Sequence, residues 1–353
     1  MTAPSESICI LRLSAIGDVC NAVAVVQEIQ RVKKHARITW IIGKAEYALV
    51  SSLPGIDFYV FDKSRGVSEY LKLRRELNEV FDVLLHMQLS LRANALALLV
   101  RARKKIGFPR HLSKELHGLV VNSRCDMPER PHVVDGFKAF ARALGLPDFQ
   151  LRWSFPLDSK DAQYVEQFHQ GTAPCLVIAP VASNFERNWL PERYAALASY
   201  AHERGFHVYV CSGPAARELE FVEQILAACK VPVENVSGKF SLSQMLYFLR
   251  LASVLVCPDT GPAHMAVSQG TPVVGLYAHS NPERTGPYTY REYVVSVYHD
   301  AIASQTRSNT TPSWGERAKG DHLMALIELD DVCRMLDRVV AGEGIGLSST
   351  RSI

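Results

Sequence analysis

Two doubly wound α/β domains, each built on a mainly parallel sheet, are what the pattern of this chain predicts. Short apolar runs of strand length alternate with longer amphipathic segments through both halves. The alternation lapses once, at Gly145-Leu146-Pro147 and the irregular stretch after it, with Trp153 and Pro156. On each side of that lapse the order is strand, turn, helix. Such an order needs crossover connections and therefore parallel strands.

Taken in order, residues 8–13 read as an apolar strand and 19–33 as the helix after it. Residues 38–42, 58–61, 83–87 and 105–108 read as further strands, and 45–53, 68–79 and 91–103 as helices. Residues 132–144 set Val134, Phe137, Phe140 and Leu144 at helical spacing. In the second half, 176–179, 207–211, 254–257 and 272–277 read as strands, and 191–204, 215–228 and 263–269 as helices. A last helix lies within 321–341. The expected division is an N-terminal domain over 1–155 and a C-terminal domain over 156–325. A helix over 326–341 is expected to return toward the N-terminal domain, and the Gly/Ser-rich tail, 342–353, to be flexible. Ligands of such sheets sit beyond the carboxyl ends of the strands, so two such domains are expected to face a central cleft.

Composition narrows the function classes. The formal net charge of +3 gives no reason to invoke nucleic acid. No apolar run reaches the length of a membrane span, and residues 1–7 lack the basic start and apolar core of a signal peptide. The eight cysteines are scattered, with no C-x-x-C pair and no zinc-like Cys/His spacing. They read as small buried hydrophobes in a reducing cytoplasm. No D-x-D triplet offers a carboxylate pair to a nucleotide-bound metal.

Two strand exits carry the chemistry. The run Cys257-Pro258-Asp259-Thr260-Gly261-Pro262-Ala263-His264 joins a buried strand to a helix, so unpaired N–H groups and a positive dipole end meet there, suited to phosphate. Asp259 and Thr260 are either helix caps or ligand contacts, and His264 is a core histidine or a phosphate contact. In the first half, Ser14-Ala15-Ile16-Gly17-Asp18 follows the first strand. Asp18 is either an N-cap or a general base at the strand exit. The stretch is not G-x-G-x-x-G, which argues against a dinucleotide enzyme. Ser183 and Arg187 lie in the loop after the first strand of the second half, where a guanidinium suits a diphosphate; otherwise Arg187 is a solvated loop residue. Glu218 is a ribose contact or a first-turn carboxylate favoured by the dipole. Basic residues gather at 101–114, including Arg110, and at 63–75, including Lys63 and Arg65. They read as a solvated surface, or as a site for an anionic acceptor or lipid head groups.

With these residues in view, the chain resembles the bacterial ADP-heptose:lipopolysaccharide heptosyltransferases, glycosyltransferase family 9. Leu13-Ser14-Ala15-Ile16-Gly17-Asp18-Val19 is similar to the family's N-terminal signature. Asp259-Thr260-Gly261-Pro262-Ala263-His264, Gly270-Thr271-Pro272-Val273-Val274-Gly275-Leu276-Tyr277 and Asn281-Pro282-Glu283-Arg284-Thr285-Gly286-Pro287-Tyr288 are similar to its C-terminal core. His86-Met87-Gln88, Lys105-Ile106-Gly107-Phe108 and His132-Val133-Val134-Asp135 are weaker echoes. The resemblance runs from about Ile8 to Ala341.

It implies a GT-B fold and an inverting transfer of L-glycero-D-manno-heptose from ADP-heptose to Kdo of Kdo-lipid A, with no metal and no cofactor. A heptosyltransferase adding a second or later heptose is the near alternative; a nucleotide-sugar hydrolase or epimerase on the same scaffold is a further one. It implies Asp18 as catalytic base. Ser183, Arg187, Glu218, Asp259, Thr260, Gly261 and His264 would serve the donor, and Ser14, Gly17, Lys63, Arg65 and Arg110 the acceptor. It places the enzyme in the cytoplasm at the inner membrane surface, with room for peripheral membrane contact. Two departures stand out: Arg187 where the family would have lysine, and Pro262 where it would have leucine or similar. Proline removes one N–H from the anion turn but suits a helix's first turn.

Overall fold

The computed structural model describes residues 5–169, 171–306 and 310–347. The leader reading of residues 1–7 falls partly on 1–4, and the tail reading partly on 348–353, both outside the described residues. The chain divides into two compact units, Met1–Pro156 and Leu157–Ile353.

The first unit runs β1 (Ser7–Leu11), α1 (Ile16–Val32), β2 (Arg37–Gly43), α2 (Lys44–Val50), β3 (Ile56–Phe61), α3 (Val67–Glu76), β4 (Val80–His86), α4 (Leu91–Leu99), β5 (Arg101–Gly107), β6 (Ser123–Arg124) and α5 (Val133–Ala143). The sheet order is β3-β2-β1-β4-β5-β6, every pairing parallel. Central β1 is buried along its whole length, which is why it reads as a continuous apolar run and not an alternating one. The helix expected over 91–103 stops at Leu99, because Val100 is extended and residues 101–107 pair with β4. Arg-Ala-Arg-Lys-Lys has no strand signal, and long basic side chains favour helix. Pairing to a buried strand overrides that preference. The irregular stretch before the unit boundary is tied down: Trp153 Nε1 donates to Cys20 O (2.9 Å), and Gln27 bonds Ser154 N and O (3.0 and 2.6 Å).

The second unit runs α6 (Ser159–Glu166), β7 (Cys175–Ile178), α7 (Pro191–Glu203), β8 (His207–Val210), α8 (Ala216–Ala228), β9 (Glu234–Asn235), α9 (Leu242–Leu251), β10 (Val254–Pro258), α10 (Gly261–Gln269), β11 (Val273–Tyr277), α11 (Pro282–Thr285), β12 (Val294–Ser296), α12 (Tyr298–Gln305) and α13 (Leu329–Gly342). Its parallel sheet is ordered β12-β11-β10-β7-β8-β9. The last helix buries Val332, Cys333, Leu336 and Val339 in the core of the second unit. Trp189 Nε1 (2.9 Å) and Arg193 both donate to Ile327 O, so the lead-in to α13 is pinned beside α7. All eight cysteines are free, and only Cys229 is not fully buried.

One polar cluster in the first unit's core links β4, α4 and the turn after β5. Phe108 N donates to His117 Nε2 (3.0 Å), so the His117 proton is on Nδ1, facing Asn94 Oδ1 (3.3 Å). His86 Nε2 also donates to Asn94 Oδ1 (2.8 Å). Gly107 is obligatory here, since a Cβ would lie 2.3 Å from His117 Nε2. Burial pushes His86 down to about 3 and His117 down to about 4. An unfolded histidine titrates near 6.5. The unfolded chain therefore takes up protons that the folded chain refuses. The stability this pair contributes is complete above about pH 6.5 and is lost as pH falls toward 4. Denaturant unfolding between pH 7 and 5 should show stability falling by roughly 1 kcal/mol per pH unit for each histidine, once the pH is below about 6. A flat profile over that range would mean the rings protonate freely in the fold.

Candidate active site

In both sheets the chain builds outward from its first strand and then returns to the other side of it. The loops leaving β1 and β4 diverge, as do those leaving β7 and β10, and each divergence opens a switch point at the carboxyl edge.

At the first switch point, Arg12 leaves β1 buried and carries three contacts. Its Nη1 donates to Met87 O (2.6 Å) beyond β4, its Nη2 pairs with Asp18 Oδ2, and its guanidinium lies 5.3 Å from the Phe137 ring centre on α5. Asp18 stands in the first turn of α1, but the cap position is Ala15. The capping reading of Asp18 therefore gives way to an ion pair, with a third of its side chain open. Gln88 Oε1 accepts from Leu13 N (2.7 Å) and Ser14 N (3.3 Å), while its Nε2 donates to Ser14 Oγ (3.3 Å), so the β4 exit also holds the Ser14 turn. Gly17 is buried beside Asp18.

Glu46, at the β2 exit, joins this group. A Cβ on Gly43 would lie 2.5 Å from both Glu46 Oε2 and Leu13 O, so the missing side chain is what admits the carboxylate. Burial raises Glu46 above the usual carboxylate range, and the charges of Lys63 and Arg12 act against that rise. Lys63 is exposed in the turn after β3. Arg65, in the same turn, reaches toward buried Glu69 (3.9 Å). Arg110 is exposed in the turn after β5. Strands β3 and β5 each lie two places from β1, about 10 Å along the edge.

At the second switch point, Arg187 spans the divergence. Its Nη1 donates to Asp259 O (2.8 Å) and Oδ2 (3.0 Å), and its Nη2 to Ser183 Oγ (2.9 Å). Both side chains of the ion pair are nearly buried, so the solvated-loop reading of Arg187 falls. Asp259 Oδ2 also accepts from Ser280 Oγ (2.5 Å), which leaves β11. Thr260 is the N-cap of α10, yet its hydroxyl donates to Val181 O (3.2 Å) in the β7 loop. Gly261 and Pro262 form the first helical turn, with His264 buried just beyond. Glu218 Oε2 accepts from Gly213 N (2.7 Å), which orients the carboxylate beyond β8. Along the edge the order is Ser280, Asp259, Ser183 with Arg187, then Glu218, on four adjacent strands.

Arg12, Gln88, Glu46 and Ser280 lie in the site beyond the residues that the sequence points to. Arg12 had a signal, a single charge inside an apolar strand run. Gln88 stood in the weak His86-Met87-Gln88 echo. Glu46 and Ser280 had none beyond following a strand.

The family model for glycosyltransferase family 9 (heptosyltransferase) matches residues 70–314. The chain belongs to glycosyltransferase family 9. It is 42% identical to the lipopolysaccharide core heptosyltransferase OpsX of Haemophilus influenzae, over 96% of this chain and 98% of that one. Among solved structures it resembles a family 9 glycosyltransferase from Veillonella parvula (TM-score 0.77, 21% identity, 97% and 99% of the two chains). It also resembles the Escherichia coli heptosyltransferase WaaC with ADP (TM-score 0.71, 16% identity, 94% and 99%). At those identities the likeness is one of fold: two Rossmann-like parallel-sheet units, the GT-B class of this family.

The Arg187 pair makes a stability prediction for this family 9 chain. Arg187→Met should cost about 3 kcal/mol, because it leaves the Asp259 carboxylate buried without its cation. In an Asp259→Asn background the same change should cost clearly less. Denaturant unfolding checks both, and equal losses in the two backgrounds would show that the residues are not coupled.

Proposed function

We propose that this enzyme transfers L-glycero-D-manno-heptose from ADP-heptose to Kdo of Kdo-lipid A, in the inner core of lipopolysaccharide. The observation that carries the reading is the Asp18 carboxylate: partly open, in the first turn of α1, with one oxygen held by Arg12. The relative from Haemophilus influenzae, named a lipopolysaccharide core heptosyltransferase, supports the product class. The Ser14-Ala15-Ile16-Gly17-Asp18 run and Phe108-Pro109-Arg110 resemble those of family members that add the first heptose, and this resemblance supports that acceptor over a later one.

In this reading the acceptor hydroxyl attacks the anomeric carbon from the side opposite the diphosphate. The new C–O bond forms as the bond to the phosphate oxygen breaks, and the anomeric configuration inverts. The electron pair of the broken bond leaves with ADP, and the hydroxyl proton passes to Asp18. Ser183, Arg187, Asp259, Thr260, Gly261 and His264 serve the donor's diphosphate and sugar, and Glu218 its ribose. The first turn of α10 meets the charge that develops on the leaving group. Ser14, Gly17, Lys63, Arg65 and Arg110 serve the anionic acceptor. The displacement as drawn needs one carboxylate and an anion site, and no metal or cofactor. The enzyme would work in the cytoplasm, against the membrane that carries its acceptor; no described helix is long and apolar enough to cross one.

Asp18→Ala should lower turnover by roughly a hundredfold to ten-thousandfold and leave ADP-heptose affinity nearly unchanged. ADP release with and without Kdo-lipid A, together with product mass, checks the whole reading. Release without acceptor would make the enzyme a hydrolase. Transfer only to an already heptosylated acceptor would make it a later-heptose transferase. Full activity in Asp18→Ala would remove the base.

A further inference from the structure

The most exposed large apolar side chains of the described residues are not scattered. Six of them, Val67, Leu71, Leu91, Leu98, Leu116 and Leu119, are each 61% to 77% exposed, and no other exceeds 50%. All six lie in α3, α4 or the turn after β5, within the first unit. Right-handed crossovers put α3 and α4 on one face of that sheet, where they pack together.

Each element presents its side chains for a definite reason. Helix α4, Leu-Arg-Ala-Asn-Ala-Leu-Ala-Leu-Leu, is apolar nearly all round. Ala93, Leu96 and Ala97 face the core, which leaves Leu91, Ala95 and Leu98, at spacings of four and three, as a second stripe facing out. In α3, Glu69 and Leu73 turn inward, and Val67 and Leu71 stand on the opposite side. The turn after β5 is fastened to the start of α4: Glu115 O accepts from Asn94 Nδ2, and Glu115 Oε2 from Leu91 N. Glu115 and Leu116 both take the left-handed conformation, φ 51° and 64°, which is costly for residues with a Cβ. That turn holds Leu116 and Leu119 out in solvent beside Leu91. A patch of this kind marks an interaction surface.

Charge selects the partner. Residues 91–124 contain eight Lys and Arg and a single acidic residue, Glu115, which is occupied by Leu91 N. Arg74 and Arg75 follow Leu71 on α3. The first 156 residues hold 23 Lys and Arg against 15 Asp and Glu, a formal +8, whereas the rest hold 16 against 21, a formal −5. A second copy of the chain is a poor partner, because a two-fold contact would set this basic face against itself. A surface that is apolar beneath an anionic layer fits both properties. We propose that the α3–α4 face, with Leu116 and Leu119, docks on an anionic phospholipid bilayer. The leucines enter the boundary between head groups and acyl chains, and the surrounding arginines and lysines pair with head-group phosphates. The proposal deepens the lipid-borne acceptor reading above and rests on it for its purpose. Helix α4 begins three residues after Gln88, which holds the Ser14 turn, so docking brings the bilayer to the strand edge that carries Asp18.

Co-sedimentation of the full chain with vesicles tests this. The chain should bind phosphatidylethanolamine vesicles containing about a quarter phosphatidylglycerol at least tenfold better than phosphatidylcholine vesicles, and less well as salt rises. Leu98→Glu with Leu119→Glu should lower that binding about tenfold or more. Heptose transfer to a water-soluble, deacylated Kdo acceptor should be unchanged in the same variant, since neither side chain is part of the site. Arg92→Glu with Lys114→Glu should abolish the preference for phosphatidylglycerol while keeping the leucines. The proposal fails if the wild type ignores anionic vesicles, if the leucine variant binds them equally well, or if that variant instead dissociates a dimer in sedimentation velocity. Vesicle binding as expected without any heptose transfer would overturn the activity and leave the docking face standing.

Discussion

A guanidinium strapped across the point where neighbouring strand exits diverge is the contact on which both units depend. Parallel sheets keep their interiors satisfied through the ladder but leave backbone groups unpaired where loops separate at the switch point. Arg12 closes that gap in the first unit by reaching from the β1 exit to the Met87 carbonyl. Arg187 closes it in the second by reaching from the β7 loop to the Asp259 carbonyl. Each also places Nη donors on side chains expected at the site: Asp18 in one case, Asp259 and Ser183 in the other. The same contact that holds the loops together therefore orients the polar groups between them.

Lysine could not do this in either place. A guanidinium presents several N–H groups in a fixed planar fork, and an ammonium is a point charge on a flexible stem. Arg187 needs that fork to reach a carbonyl, a carboxylate and a hydroxyl at once. The departure from the family's expected lysine thus has a structural account, since it converts a charge contact into a three-point brace. Gln88 and Ser280 complete the two braces from the strands β4 and β11, by bonding the Ser14 turn and the Asp259 carboxylate.

Much of this was legible from the chain and some of it could not be. The central strands and the exits after them were visible because a run such as Ile8 to Leu11 is apolar at every position, which only a strand buried on both faces requires. Helix α9 is legible as well: Ser241 and Gln244 form a reciprocal capping box just before its apolar run. The end of strand β5 was legible at 105–107, but its start, 101–104, was not. Its sequence favours helix, and its state is decided by pairing with β4 and by the Phe108 and His117 contact, both distant in the chain. The destination of α13 was hidden for another reason. Periodicity identifies an apolar face, but nothing in it names the surface that the face will meet. The role of Arg187 lay between these cases, since its position after a strand was readable but its burial against Asp259 was not.

The braces also decide where negative charge can be received. Arg187 does not come to the second switch point as a free cation, because Asp259 neutralises it and Ser280 holds Asp259 in place. In the proposed reading, an anion arriving there meets the Arg187 fork, held rigid by Asp259, together with the oriented backbone dipoles of the helix that follows. The first turn of α10 supplies them, with Pro262 at a position whose N–H would have no partner within the helix. Ala263 N donates to Thr260 O (3.2 Å) within that turn. Thr260 is fixed at the N-cap of α10 by its bond to Val181 O (3.2 Å). Asp259 thus fixes the positions of Arg187 and Ser280, and in the proposed reading the helix terminus adds its dipole to what this exit offers an anion.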